Sequence, residues 1–172
     1  KADHGRFGDY GPDILRTVRA IKSYLFHFET EFSKEIDYFH LRGQDNILRY
    51  DPLGNIVIRI HSDDSLFDIL ARVFAGRICG NTVTLSASET LNSPVLKYLQ
   101  QNSGNGFLEK TIIEMQSDET LILNLNKIDR IRYAAPDRVP ISLQKKAAET
   151  GIYIASAPVL MEGRLELLHY LR

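Results

Sequence analysis

The sequence has no tryptophan and a single cysteine, Cys79. One thiol cannot build a disulfide framework within the chain, nor a cysteine-based zinc cage. A reducing compartment is the corresponding expectation. Neither sign of charge is in surplus: 21 Lys and Arg face 22 Asp and Glu, a formal net charge of −1. With no basic excess to neutralise a phosphate backbone, a dedicated nucleic-acid binder is not expected. No apolar run approaches a membrane span. Lys1-Ala2-Asp3-His4-Gly5 lacks the pattern of a signal peptide, and no Asn-x-Ser/Thr acceptor occurs. The chain starts without Met, so a segment cut from something longer is expected. Internal repeats and low-complexity stretches are also lacking.

What is there is ordinary globular material, 44% hydrophobic and 25% charged, which excludes disorder for most of the chain. Area scaling for this length gives about 8,600 Å² folded against about 28,000 Å² unfolded, so about 70% of the surface can be buried. That supports one domain, or one and a small appendage.

Residues 12 to about 39 carry the strongest helical period. Ile14, Val18, Ile21, Leu25, Phe28, Phe32 and Ile36 recur at steps of three and four, with Pro12 suited to the first turn. Tyr24, Phe26, Tyr38 and Phe39 widen the apolar face beyond one stripe, which fits either a helix packed on its own domain or one that docks part of this face on another domain. Asn46–Tyr50 and Asn55–Ile60 read as strands around the turn Asp51-Pro52-Leu53-Gly54. Asp63 or Asp64 is the expected cap of a helix with Leu66, Phe67, Leu70, Val73, Phe74 and Ile78 inward, ended by Gly80. Thr82–Leu85 is a strand, Pro94 to about Gln101 a helix, and Asn102–Gly106 a flexible loop. Then follow strand 111–115, helix 118–124, strand 130–133, helix 139–150 closed by Gly151, and strand 153–155. The tail, 163–172, fits either state. Strands alternating with helices from residue 55 to 156 predict an α/β fold with a parallel sheet covered on both faces. The expected division is a helical lead-in over 1–43 packed on a single unit over 44–172.

Pro52-Leu53-Gly54, then Gly80-Asn81-Thr82-Val83-Thr84-Leu85, then Ser88-Glu89 resemble, in ungapped spacing, the nucleotide-binding half of the aldehyde dehydrogenase superfamily. Asp129-Arg130-Ile131-Arg132-Tyr133 resembles that family's strand leading to its phosphate-proximal glycine turn. The flanks, 43–50 and 157–172, look like the C-terminal region of long proline utilization A proteins. These are bifunctional enzymes that join a flavin proline dehydrogenase to an NAD-dependent 1-pyrroline-5-carboxylate dehydrogenase. Their extra C-terminal domain is aldehyde-dehydrogenase-like and lacks catalytic residues. The resemblance implies a Rossmann-like sheet and a supporting role: covering the aldehyde dehydrogenase module of the same parent chain and sealing a channel.

Positions matching the family's site depart from its pattern. Asp63 stands where the family has an amide that stabilises an oxyanion, and a carboxylate there repels developing negative charge. Ser86 replaces the ribose-binding Lys, while Glu89 matches its usual Glu partner. Ala135, followed by Pro136, replaces the turn glycine, and a Cβ there hinders backbone approach to a pyrophosphate. The resemblance therefore implies four vestigial positions (Asp63, Ser86, Glu89 and Ala135), no catalytic residue and no cofactor in this segment. NAD and FAD are expected for the parent protein. The alternatives are the NAD-binding half of an active 1-pyrroline-5-carboxylate dehydrogenase, or an independent nucleotide-binding module. A cytoplasmic location is expected, with membrane association of the parent and homo-oligomerisation left open.

The remaining constellations have plain readings. His61, Asp63 and Asp64 fit no standard zinc spacing. His40 and His169 stand alone, as surface or interface residues. Gly104-Asn105-Gly106 has no strand–turn–helix context. Arg130 and Arg132 are expected at a solvated or interdomain strand end, and Lys145-Lys146 on a solvated helix face. Cys79 is expected to be a small buried packing residue.

Overall fold

A computed structural model describes residues 8–102 and 111–172. Lys1–Gly5 and the Gly104–Gly106 loop lie outside the described residues.

Five parallel strands form the sheet: β3 (Asn55–Arg59), β4 (Thr82–Ala87), β5 (Ile112–Met115), β6 (Arg130–Arg132) and β7 (Tyr153–Ala155). They lie in the order β5-β4-β3-β6-β7. Two short strands precede them, β1 (Ile36–Asp37) and β2 (Ile47–Leu48), paired antiparallel in a hairpin that straddles residue 43. The chain starts β3 at the centre, winds to one edge, and returns to add β6 and β7 on the other side. This is a doubly wound order whose switch point lies between β3 and β6. The expected α/β class with a parallel, Rossmann-like sheet is therefore observed.

The pleat sorts the strand residues between two cores. Ile56, Ile58, Val83 and Leu85 face α2 (Leu66–Ile78) and α3 (Pro94–Asn102), with α1 (Gly11–His27) outside them. Val57 and Ile131 face Leu121 of α4 (Asp118–Leu123) and Leu143 of α5 (Ile141–Thr150). A last helix, α6 (Gly163–Glu166), runs into a 3₁₀ turn over Leu167–Tyr170, which resolves the tail as helical.

The long helix is shorter than its period suggests and is rotated. It ends at His27, passes through a π turn at Phe28–Phe32, and leaves Ile36 to the hairpin. Its buried stripe is Thr17, Ala20 and Tyr24, whereas Val18 and Leu25 are 44% and 42% exposed. Close approach explains the rotation. A Cβ on Gly163 would lie 2.6 Å from the Ser23 carbonyl oxygen, so the two backbones pass with no room for a side chain. Small Ala20 and a Tyr24 hydroxyl donating to the Leu160 carbonyl (2.5 Å) complete that contact. Tyr24 is thus core, packed on its own domain.

Two other local expectations change. The cap of α2 is Ser65, not Asp63 or Asp64. Its hydroxyl accepts from the Asp68 N–H (3.1 Å) while the Asp68 carboxylate accepts from the Ser65 N–H (3.0 Å), a reciprocal capping box. The 46–50 run yields only the two-residue, exposed β2. Gly151 ends α5 as expected, at φ 78°.

Candidate functional site

In open parallel sheets, ligands bind outside the carboxyl ends of the strands at the switch point. Here that place is crossed by the chain's own ion pairs. Arg59 closes β3 and faces Ser86 of β4 in register. Its buried guanidinium donates to the Ser86 hydroxyl (2.7 Å), the Gln116 carbonyl (3.0 Å) and the Asp118 carboxylate (2.7 Å). The turn from β3 to α2 tucks Asp64 inward. Its fully buried carboxylate accepts from the His61 N–H (3.1 Å), from Arg72 (2.5 Å) and from Arg138. Arg72 is itself fully buried and donates to the carbonyls of Arg59 (3.2 Å) and Arg132 (3.1 Å). One guanidinium thereby spans the ends of the two strands at the switch point.

Burying such charges is tolerable only because nearly every donor and acceptor is used. What is left open is a cleft of ≈ 150 Å³ lined by Arg59, His61, Ser88, Tyr133 and Arg138, among others. Ligand pockets are typically about 300–1,000 Å³.

The structure places three of the sequence-nominated residues at the carboxyl ends of neighbouring strands. Asp63 sits in the turn after β3, exposed, accepting from Ser62 (3.1 Å) and 3.7 Å from the His61 ring. Ser86 is fully buried and accepts from Arg59 and from Gln116 (3.0 Å). Ala135, past β6, is extended and half-buried, and opens the Pro136–Arg138 turn. Glu89 is exposed, and among the described residues its side chain has no hydrogen bond or ion pair.

Arg132 is not a solvated strand end. It is fully buried and paired to Glu166 at 3.0 Å. Arg130 is half-buried, lies over the Tyr153 ring, and donates to the His169 carbonyl (2.9 Å). His169 is half-buried, and burial lowers its pKa; His40 is exposed. Lys145 and Lys146 are exposed, as expected. Among the described residues no group of three His, Cys, Asp or Glu is arranged to hold a metal. The Asp64 carboxylate is committed to guanidiniums instead. Cys79 is the buried packing residue expected, its sulfur 3.9 Å from the Leu167 carbonyl. Burial pushes its thiol up to about 12, far from a reactive thiolate.

Arg59, Arg72, Asp64, Asp118 and Arg138 were not singled out by sequence as one network. The available signal was an arginine inside each of two otherwise apolar runs, Ile56–Ile60 and Ile69–Phe74. A charge in a core pattern demands a buried partner.

No family model and no curated protein matches the sequence. Solved structures do match in fold. Proline utilization A (PutA) from Corynebacterium freiburgense superposes with a TM-score of 0.58 at 24% identity, over 90% of this chain and 12% of that chain. A mutant aldehyde dehydrogenase from Bacillus cereus gives 0.59 at 15% identity, over 83% of this chain and 29% of that chain. The chain thus spans about an eighth of the first protein and under a third of the second. Its fold is that of the aldehyde dehydrogenase nucleotide-binding type. Among the described residues no helix is long and apolar enough to cross a membrane.

Proposed function

We propose that this domain is non-catalytic and supports an aldehyde dehydrogenase module of the same parent chain by direct contact. The parent would be a bifunctional proline-catabolic oxidoreductase, cytoplasmic, converting proline to glutamate. In it this domain, at the C-terminus, would cover the 1-pyrroline-5-carboxylate dehydrogenase module and seal the intermediate's channel. NAD and FAD would belong to the parent's catalytic modules.

The observation that carries this reading is the switch point crossed by Arg59–Asp118 and Arg72–Asp64–Arg138. The residues there do not fit a dinucleotide. The cleft is small, Asp64 is an internal anion in the turn after β3, and Ser86 is bonded to Arg59 rather than directed at a ligand. The one thiol is buried and protonated, so the chain offers no cysteine nucleophile. A supporting surface is available. Leu15, Val18, Leu25 and Phe26 on α1 are exposed, as are Tyr38, Phe39, Leu41, Ile47 and Leu48 in the hairpin region. Exposed apolar residues gathered on adjoining elements mark contact surfaces.

Calorimetry with NAD tests the reading. Binding weaker than about 1 mM is expected, and a dissociation constant below about 100 μM contradicts it. NADH production from glutamate semialdehyde that depends on Cys79 contradicts it as well.

A further inference from the structure

The long helix α1 turns its better apolar stripe away from its own core. Ile14, Val18, Ile21 and Leu25 follow one another at steps of four, three and four, the spacing of a helix–helix seam. The domain buries Thr17, Ala20 and Tyr24 instead, and Val18 and Leu25 stay exposed. Leu15 and Phe26 extend the exposed face to one side. Along the other side a groove of ≈ 170 Å³ opens between α1 and α2, lined by Ile14, Thr17, Val18, Ile21, Leu70 and Phe74.

This chemistry narrows the occupant. The one polar group in the lining, the Thr17 hydroxyl, donates to the Asp13 carbonyl of its own helix (2.8 Å). A small molecule would find nothing to orient it, and ligand pockets are typically about 300–1,000 Å³. The seam runs for about 16 Å, three helical turns. A facing helix matches apolar side chains that recur at this spacing over this length.

The charges narrow it further. Arg19 and Lys22 flank the seam, exposed, and among the described residues neither has a hydrogen bond or ion pair. The acids of the two helices are turned elsewhere. Asp13 accepts from the Phe67 N–H (3.3 Å), and Asp68 belongs to the capping box with Ser65. Glu29, exposed in the π turn past the end of α1, offsets one of the two cations at most. The flank therefore complements acidic side chains. A second copy of this chain fits poorly: antiparallel pairing of two seams brings Arg19 and Lys22 of both copies together.

We propose that the α1 seam and the α1–α2 groove seat an amphipathic helix of the parent's aldehyde dehydrogenase module. Its apolar stripe lies against Val18 and Leu25, and its acidic residues lie against Arg19 and Lys22. This rests on the supporting role proposed above and gives that role a surface and a partner.

The test is photo-crosslinking in the full-length parent. A benzophenone amino acid replaces Val18 in one protein and Phe39, in the hairpin region, in a second. Mass spectrometry maps the products, with isotopically light and heavy chains mixed to separate crosslinks within a chain from those between copies. Val18 should crosslink within one chain to a helical segment of the dehydrogenase module whose apolar stripe is flanked by Asp or Glu. Arg19→Glu combined with Lys22→Glu changes only exposed side chains, and it should lower that yield about threefold or more. Added salt should lower the yield of the unaltered flank in the same direction. Silence from Val18 overturns the inference; a Phe39 crosslink to the module then leaves the supporting contact itself standing. Val18 crosslinks between copies, or to a segment without acidic residues, overturn it as well, as does a yield that the double charge reversal leaves unchanged.

Discussion

Arg132 and Glu166 form an ion pair at 3.0 Å in which neither side chain is exposed. Arg132 closes β6 and Glu166 ends α6, so the pair ties the sheet to the C-terminal segment. The same carboxylate accepts from the Tyr170 hydroxyl (2.9 Å) and the Leu160 N–H (2.9 Å). Leu160 in turn takes the Tyr24 hydroxyl of α1. β6 and the C-terminal segment thus meet on one buried carboxylate, and α1 is joined to it through Leu160. Glu166→Ala strands Arg132 without its counter-charge and should cost about 3–5 kcal/mol. Urea unfolding measures this. The double variant Arg132→Met, Glu166→Leu should recover most of the loss, because it removes both desolvated charges together.

Gly163→Ala sets a Cβ against the Ser23 backbone, which cannot swing away as a side chain would. Overpacking of this kind should cost about 1–3 kcal/mol. Gly11→Ala, where nothing lies within 4 Å, should be neutral or stabilising by up to about 1 kcal/mol. Thermal melts of the two variants should therefore shift in opposite directions.

Alkaline pH should weaken the fold. Burial raises the thiol of Cys79 from 9.0 to about 12 and also raises the phenols of Tyr24, Tyr133 and Tyr170. Each folded-state pKa lies above its unfolded value, so the folded chain holds more protons there and stability falls as pH rises. The contribution is complete below about pH 9 and is lost progressively above it, Cys79 first. Urea midpoints should decline from about pH 9 upward. Cys79→Ala should flatten the first part of that decline, and a flat profile between about pH 9 and 11 would contradict the assignment.

Phe26→Glu and Phe39→Glu should leave the isolated chain within about 0.5 kcal/mol of its original stability, since both side chains are exposed. If this surface meets the aldehyde dehydrogenase module, the same changes should lower that module's activity in the full-length parent. Activity unchanged in both variants would remove α1 and the hairpin region from the contact.

The α/β alternation, the parallel sheet and most strand positions were legible because β3 and β4 are short apolar runs bounded by turn chemistry. The face of α1 was not. Ile14, Val18, Ile21 and Leu25 make the better hydrophobic stripe, but the Gly163–Ser23 approach and the Tyr24 hydroxyl fix the rotation, and both depend on residues more than 130 positions away. Ser65 was hidden as a cap by the two aspartates before it, because local preference does not reveal that Asp64 is drawn inward by Arg72 and Arg138. At the candidate site, the departures at Asp63, Ser86 and Ala135 were visible as residue types. The network that crosses the switch point was not, since its members are scattered from Arg59 to Arg138 and are joined only by the fold.

Deletion of residues 1–172 from the full-length parent, with both activities then assayed, tests the central claim most directly. The account predicts that aldehyde dehydrogenase activity and coupled turnover of proline to glutamate fall, while proline dehydrogenase activity stays largely intact. Unchanged coupled activity in a remainder that is still folded would contradict it.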